Sequence, residues 1–166
     1  MIKENNLDIA VLALDYRGFS ISDGNPSAED LIADLIIAED RIGRRFENLY
    51  IYAQSFGVLL TLNAFDGLVN VDKIVLDSIA ATTPWVLGCP SSVQPINNVP
   101  QDASKIMYLY GLRDTQVSVK SAERLASSIR ANGGSALGVD GGHPSNSYEE
   151  FSARVQPMIV FFGLRK

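Results

Sequence analysis

Apolar residues along this chain fall into short unbroken blocks, separated by stretches that are apolar only at every third or fourth position. The blocks are residues 9–15 (IAVLALD), 49–54 (LYIYAQ), 71–77, 106–110 and 136–139. Unbroken runs, as opposed to alternating ones, belong to strands covered on both faces, as in a parallel sheet lying between helices. The intervening stretches read as helices. Ser27 is placed to cap one that carries Leu31, Ile32, Leu35, Ile36, Ile42 and Phe46 on its apolar side, and Glu39, Asp40, Arg41 and Arg44 on its wet side. A second helix follows Ser55 without a break. A third spans residues 118–132, with Val119, Ala122, Leu125, Ala126 and Ile129 inward and Gly133-Gly134 as its stop. The last, capped by Asn146 or Ser147, runs to residue 162, and Pro157 should kink or break it.

Strands alternating with helices predict an α/β fold, a three-layer α/β/α sandwich with a mostly parallel sheet. Residues 79–104 stand apart. Pro84, Pro90 and Pro95 exclude a long regular element there, so the stretch reads as a loop or a minimal lid. A length of 166 residues fits one domain, 1–166.

Composition narrows the partners. With a net charge of −5 and no basic patch, the chain is not built to neutralise nucleic-acid phosphates or an anionic membrane. Its apolar runs are too short to span a bilayer, and its first residues lack the apolar core of a signal peptide. The single cysteine, Cys89, excludes an internal disulfide and fits a reducing compartment, so a cytoplasmic location is expected. One histidine and one cysteine cannot make a usual zinc shell, and no glycine-rich phosphate loop is present, so no metal or cofactor is expected.

The candidate chemistry lies where open parallel sheets place it, at the carboxyl ends of the strands. Those ends carry Asp15, Ser55, Asp77, Asp114 and, after the last strand, His143. Ser55 sits in Ala53-Gln54-Ser55-Phe56-Gly57, where a β-prone run passes straight into a helical pattern between small residues. That is the pattern of a strand–nucleophile–helix elbow, although Ser55 could instead be a simple helix cap. A serine nucleophile needs a base, and the base needs a carboxylate to fix its tautomer. His143, the only histidine, is the candidate base. Asp114 is preferred as the acid, with Asp77 its rival and Asp140 a more distant one.

Four segments in order resemble the α/β-hydrolase superfamily, in its serine esterase, thioesterase and peptidase-like branch. Residues 14–24 (LDYRGFSISDG) resemble that branch's D-Y-R-G-x-G-x-S-x-G loop, with Ser20 in place of the second glycine. Ala53-Gln54-Ser55-Phe56-Gly57 resembles the elbow, Gly111-Leu112-Arg113-Asp114 the acid-bearing segment, and Gly142-His143 the base-bearing turn. The resemblance implies Ser55 as nucleophile, Asp114 as acid, His143 as base and the Phe56 N–H as an oxyanion donor.

In the family, three strands and a helix precede the D-Y-R-G loop, and the turn after the third strand supplies a second oxyanion donor. The resemblance therefore implies a truncated α/β-hydrolase fold. Either the strand at 9–15 pairs directly with that at 49–54, or another chain fills the gap. A run apolar on both faces makes a poor exposed edge, so self-association into a homo-oligomer, with exchanged elements, is expected. The expected function is cleavage of an ester, thioester or small amide of a small-molecule acyl substrate through an acyl-enzyme. Tyr16, Trp85, Val86 and Leu87 are the candidate substrate-binding residues. The alternative is a weak or silent hydrolase-fold protein acting as a binding or assembly module.

Overall fold

A computed structural model describes residues 9–83 and 90–164. Strands β1 (Tyr50–Gln54), β2 (Lys73–Asp77), β3 (Ile106–Gly111) and β4 (Ser135–Val139) form one sheet in the order β1-β2-β3-β4. Every neighbouring pair is parallel. Helices α1 (Ala28–Gly43), α2 (Phe56–Ala64), α3 (Val119–Ala131) and α4 (Tyr148–Phe162) complete the fold.

The unbroken apolar runs are explained by two cores, one on each face of the sheet. Ile74, Leu76, Ile106, Tyr108 and Tyr110 point to one side, where they meet α2 and α3, with Leu31 of α1 joining them. Val75, Met107, Leu109 and Val139 point to the other side and meet Met158 and Phe151 of α4. The result is the three-layer α/β/α sandwich. Helix α2 is apolar almost all round because α1 covers the side turned away from the sheet. Its Leu59 and Leu60 are fully buried, each contributing about 1.5–3 kcal/mol.

Several expectations need correction. Residues 9–14 form no strand: they are irregular and, from Ala10 onward, exposed, with Val11 70% and Leu12 67% accessible. A strand needs a hydrogen-bonding neighbour, and β1 pairs only with β2 among the described residues, so direct pairing of 9–15 with 49–54 does not occur. For the same reason β1 is an edge strand among the described residues. Helix α1 stops at Gly43, leaving Phe46 exposed beyond it. Glu39, read as wet, is buried, and its carboxylate accepts the Asn70 N–H at 2.6 Å. Helix α4 runs unbroken through Pro157, since the packing of Phe151 and Met158 on the sheet outweighs the lost backbone bond.

Ser27, Ser118 and Ser147 cap α1, α3 and α4 by accepting a backbone N–H three residues on. The 79–104 stretch, where described, is loop with two short 3-10 turns, Ser91–Val93 and Pro95–Asn97. Among the described residues no helix is long and apolar enough to cross a membrane.

Candidate active site

Ser55 follows the last residue of β1 and precedes the first of α2. Its backbone lies at φ 50°, ψ −117°, a region that side chains other than glycine rarely adopt, at a cost of about 1–3 kcal/mol. Unlike the three cap serines, Ser55 makes no side-chain bond to its helix. Its N–H is held by the Asp77 carbonyl at 2.8 Å. The hydroxyl is thus left unused by local structure while the backbone is held in a strained shape, which the cap reading does not explain. The small neighbours do face one another: a Cβ built on Gly57 would lie 3.8 Å from the Ala53 Cβ and 3.2 Å from the Tyr16 hydroxyl.

Tyr16 stands edge-on to Phe56, with ring centroids 6.3 Å apart, and burial pushes its phenol up from the ordinary value. It therefore remains a hydrogen-bond donor beside the elbow. Phe56 is the first residue of α2, a position whose N–H has no partner within the helix. The partial positive charge of a helix N-terminus suits an anion there.

Asp114 follows β3 in a tight turn. Its Oδ1 accepts the N–H groups of Gln116 at 2.8 Å and Val117 at 2.9 Å. Its Oδ2 lies 2.8 Å from His143 Nδ1, and both side chains are almost wholly buried. Two backbone donors lock the carboxylate, one oxygen faces the imidazole, and with Nδ1–H donated the other ring nitrogen, Nε2, is the acceptor. No hydrogen bond joins Ser55 Oγ to His143 among the described residues.

The carboxylates of Asp77 and Asp140 are engaged elsewhere. Asp77 accepts from Tyr52 Oη at 2.8 Å, Ser78 Oγ at 2.8 Å and Arg154 Nε at 2.9 Å. Burial pushes its carboxyl up, with Arg154, Ser78 and Tyr52 pulling the other way. Asp140 pairs with Arg113 at the surface, at 2.9 Å. Asp15 offers its carbonyl to Ser22 Oγ at 3.1 Å. The structure gives the His143 contact to Asp114. Trp85, Val86 and Leu87, like Cys89, lie outside the described residues. No group of three or more His, Cys, Asp or Glu side chains is placed to hold a metal ion among the described residues.

Sequence reasoning missed the charged residues of α4. Arg154 is fully buried and Glu150 reaches the turn before His143. A signal was present: Phe151, Arg154 and Met158 share one helical stripe, and a charge on an apolar stripe must find a buried partner.

No family model and no curated protein matches this sequence. Solved structures do resemble the fold. An α/β serine hydrolase without a lid from Xanthomonas campestris superposes with a TM-score of 0.65 at 17% identity, over 88% of this chain and 63% of that one. An esterase from Pyrococcus furiosus gives 0.64 at 14% identity, over 89% and 68%. A candidate dienelactone hydrolase from Klebsiella pneumoniae gives 0.61 at 18% identity, over 82% and 61%. The chain carries the α/β-hydrolase fold over part of the length of these proteins.

Proposed function

We propose, from the α/β-hydrolase fold, that this chain is a serine hydrolase cleaving an ester, thioester or small amide through an acyl-enzyme. The observation that carries the reading is Ser55, strained at φ 50° and free of any capping bond at the head of α2. In this reading Ser55 Oγ attacks the acyl carbon as its proton passes to His143 Nε2. Asp114 holds the imidazole by Nδ1 and stabilises the cation that forms. The Phe56 N–H receives the negative charge developing on the carbonyl oxygen. Collapse of the tetrahedral intermediate expels the leaving group, which takes the proton from Nε2. Water then attacks the Ser55 ester by the same steps in reverse. Tyr16, beside the elbow, lines the acyl site. The Ser55–His143 hydrogen bond forms with substrate in place, as such bonds often tighten only in the complex.

A fluorophosphonate probe tests this. The expected result is a phosphonyl adduct on Ser55 by mass spectrometry, absent from Ser55→Ala and strongly slowed in His143→Ala. A folded chain that stays unlabelled overturns the reading.

A second reading, assembly between copies, is compatible with the first and rests on a different observation. One side of β1 has no neighbour among the described residues, and residues 10–14 expose a β-prone apolar run. Each copy thus carries both an open strand edge and an unpaired β-prone segment to offer, so two copies can satisfy one another reciprocally. Light scattering after size exclusion is expected to give a dimer at micromolar concentration, and Val11→Lys with Leu12→Lys to return a monomer. A wild-type monomer would end this reading.

A further inference from the structure

The turn that carries His143 is gripped from α4 on both sides of one residue. The Gly142 N–H donates to Glu150 Oε2, and the Gly142 carbonyl accepts from Arg154 Nη2 at 2.6 Å. The two peptide groups flanking Gly142 are therefore both fixed, and His143 is the next residue. Arg154 is itself held. Its Nη1 donates to the Glu150 carbonyl, its Nη2 to Ser78 Oγ at 3.2 Å, and its Nε to the Asp77 carboxylate at 2.8–2.9 Å. Asp77 closes the circuit, because its backbone carbonyl accepts the Ser55 N–H at 2.8 Å. The strand end that holds the elbow in place thus also holds the arginine that fixes the histidine turn. A buried guanidinium with this many fixed partners has a single geometry available, unlike a surface ion pair.

We propose that Glu150 and Arg154 are positioning residues for His143, and that Asp77 ties their grip on Gly142 to the backbone of Ser55. The distance between nucleophile and base is then set by α4 and β2 together, while Asp114 sets only the orientation of the ring. This rests on the hydrolase reading for its kinetic consequence, but not for its structural one.

Two pairs of variants test it. Glu150→Ala removes the acceptor for the Gly142 N–H, whereas Glu150→Gln keeps an oxygen there. Asp77→Asn combined with Arg154→Met removes both buried charges together, so that neither is left unpaired. Two readouts apply: the rate of Ser55 phosphonylation, and the downfield proton signal of His143 Nδ1, unambiguous because the chain has one histidine. Glu150→Ala and the double variant are expected to lose roughly 100-fold in labelling rate, as misplacement by about 1 Å costs. Both should also broaden or lose the His143 signal, and Glu150→Gln should restore both readouts. Folded variants that keep the wild-type rate and signal overturn the proposal. A wild-type chain that shows no labelling overturns the hydrolase reading alone, since the His143 signal still reports whether α4 holds the turn.

Discussion

Ser55→Ala and His143→Ala are each expected to lower kcat/KM on an activated ester by about 10³–10⁴-fold, and the double variant no further. A nucleophile and its base act as one unit, so removing either disables the same step and the losses do not add. With a complete oxyanion hole the loss of such a pair is on the order of 10⁶-fold. The proposed mechanism assigns one backbone N–H to the oxyanion, that of Phe56, where two are usual. A single absent donor costs about 10²–10³. On the proposed mechanism the wild-type rate starts lower by that factor, and less remains to be lost. Asp114→Ala is expected to cost less than either, because the imidazole can still take the proton when poorly oriented. Steady-state hydrolysis of a p-nitrophenyl ester, with active sites titrated by the initial burst, measures all four. Additive losses in the double variant would mean that Ser55 and His143 do not share a step.

The elements built on local pattern were legible in the chain itself. β2, β3 and β4 lie within two residues of their apolar runs, the cap of α1 is Ser27 as the sequence puts it, and that of α4 is Ser147, one of its two candidates. Residues 9–15 show the limit of that reasoning. Their pattern suits a strand covered on both faces, but a strand exists only by pairing, and whether a neighbour is present is not written in the run. The same limit explains Glu39 and Arg154. Each sits on a helix whose polarity can be read, but Glu39 answers Asn70, 31 residues on, and Arg154 answers Asp77, 77 residues back. The pairing of Asp114 with His143 was accessible because both follow strand ends, where the topology of a parallel sheet gathers side chains. Asp114 is preferred to Asp77 on the sequence alone, and the packed structure adds the reason, since only there is Asp77 seen to be occupied by Arg154.

Gly111→Ala is expected to lower the melting temperature by roughly 3–10 °C and kcat by roughly 100-fold. Gly111 ends β3, and a Cβ there would stand 2.5 Å from the carbonyl oxygens of both Gly141 and Gly142. Those atoms are backbone, so no side-chain rotation relieves the clash, and overpacking of this kind costs about 1–3 kcal/mol. The turn cannot yield alone. Gly141 accepts the Arg113 N–H at 2.9 Å, and Gly142 is held from α4 by Glu150 and Arg154. Whatever moves to admit the methyl group must therefore move the segment leading into His143. Gly133→Ala is the control. Gly133 has φ +88° and nothing within 4 Å of a built Cβ, so alanine there strains the backbone without touching the site. It should lower the melting temperature and leave kcat unchanged. If Gly111→Ala behaves in the same way, losing stability but keeping kcat, then the 141–142 turn shifts without carrying the histidine. The close approach of β3 to that turn would in that case serve the fold alone.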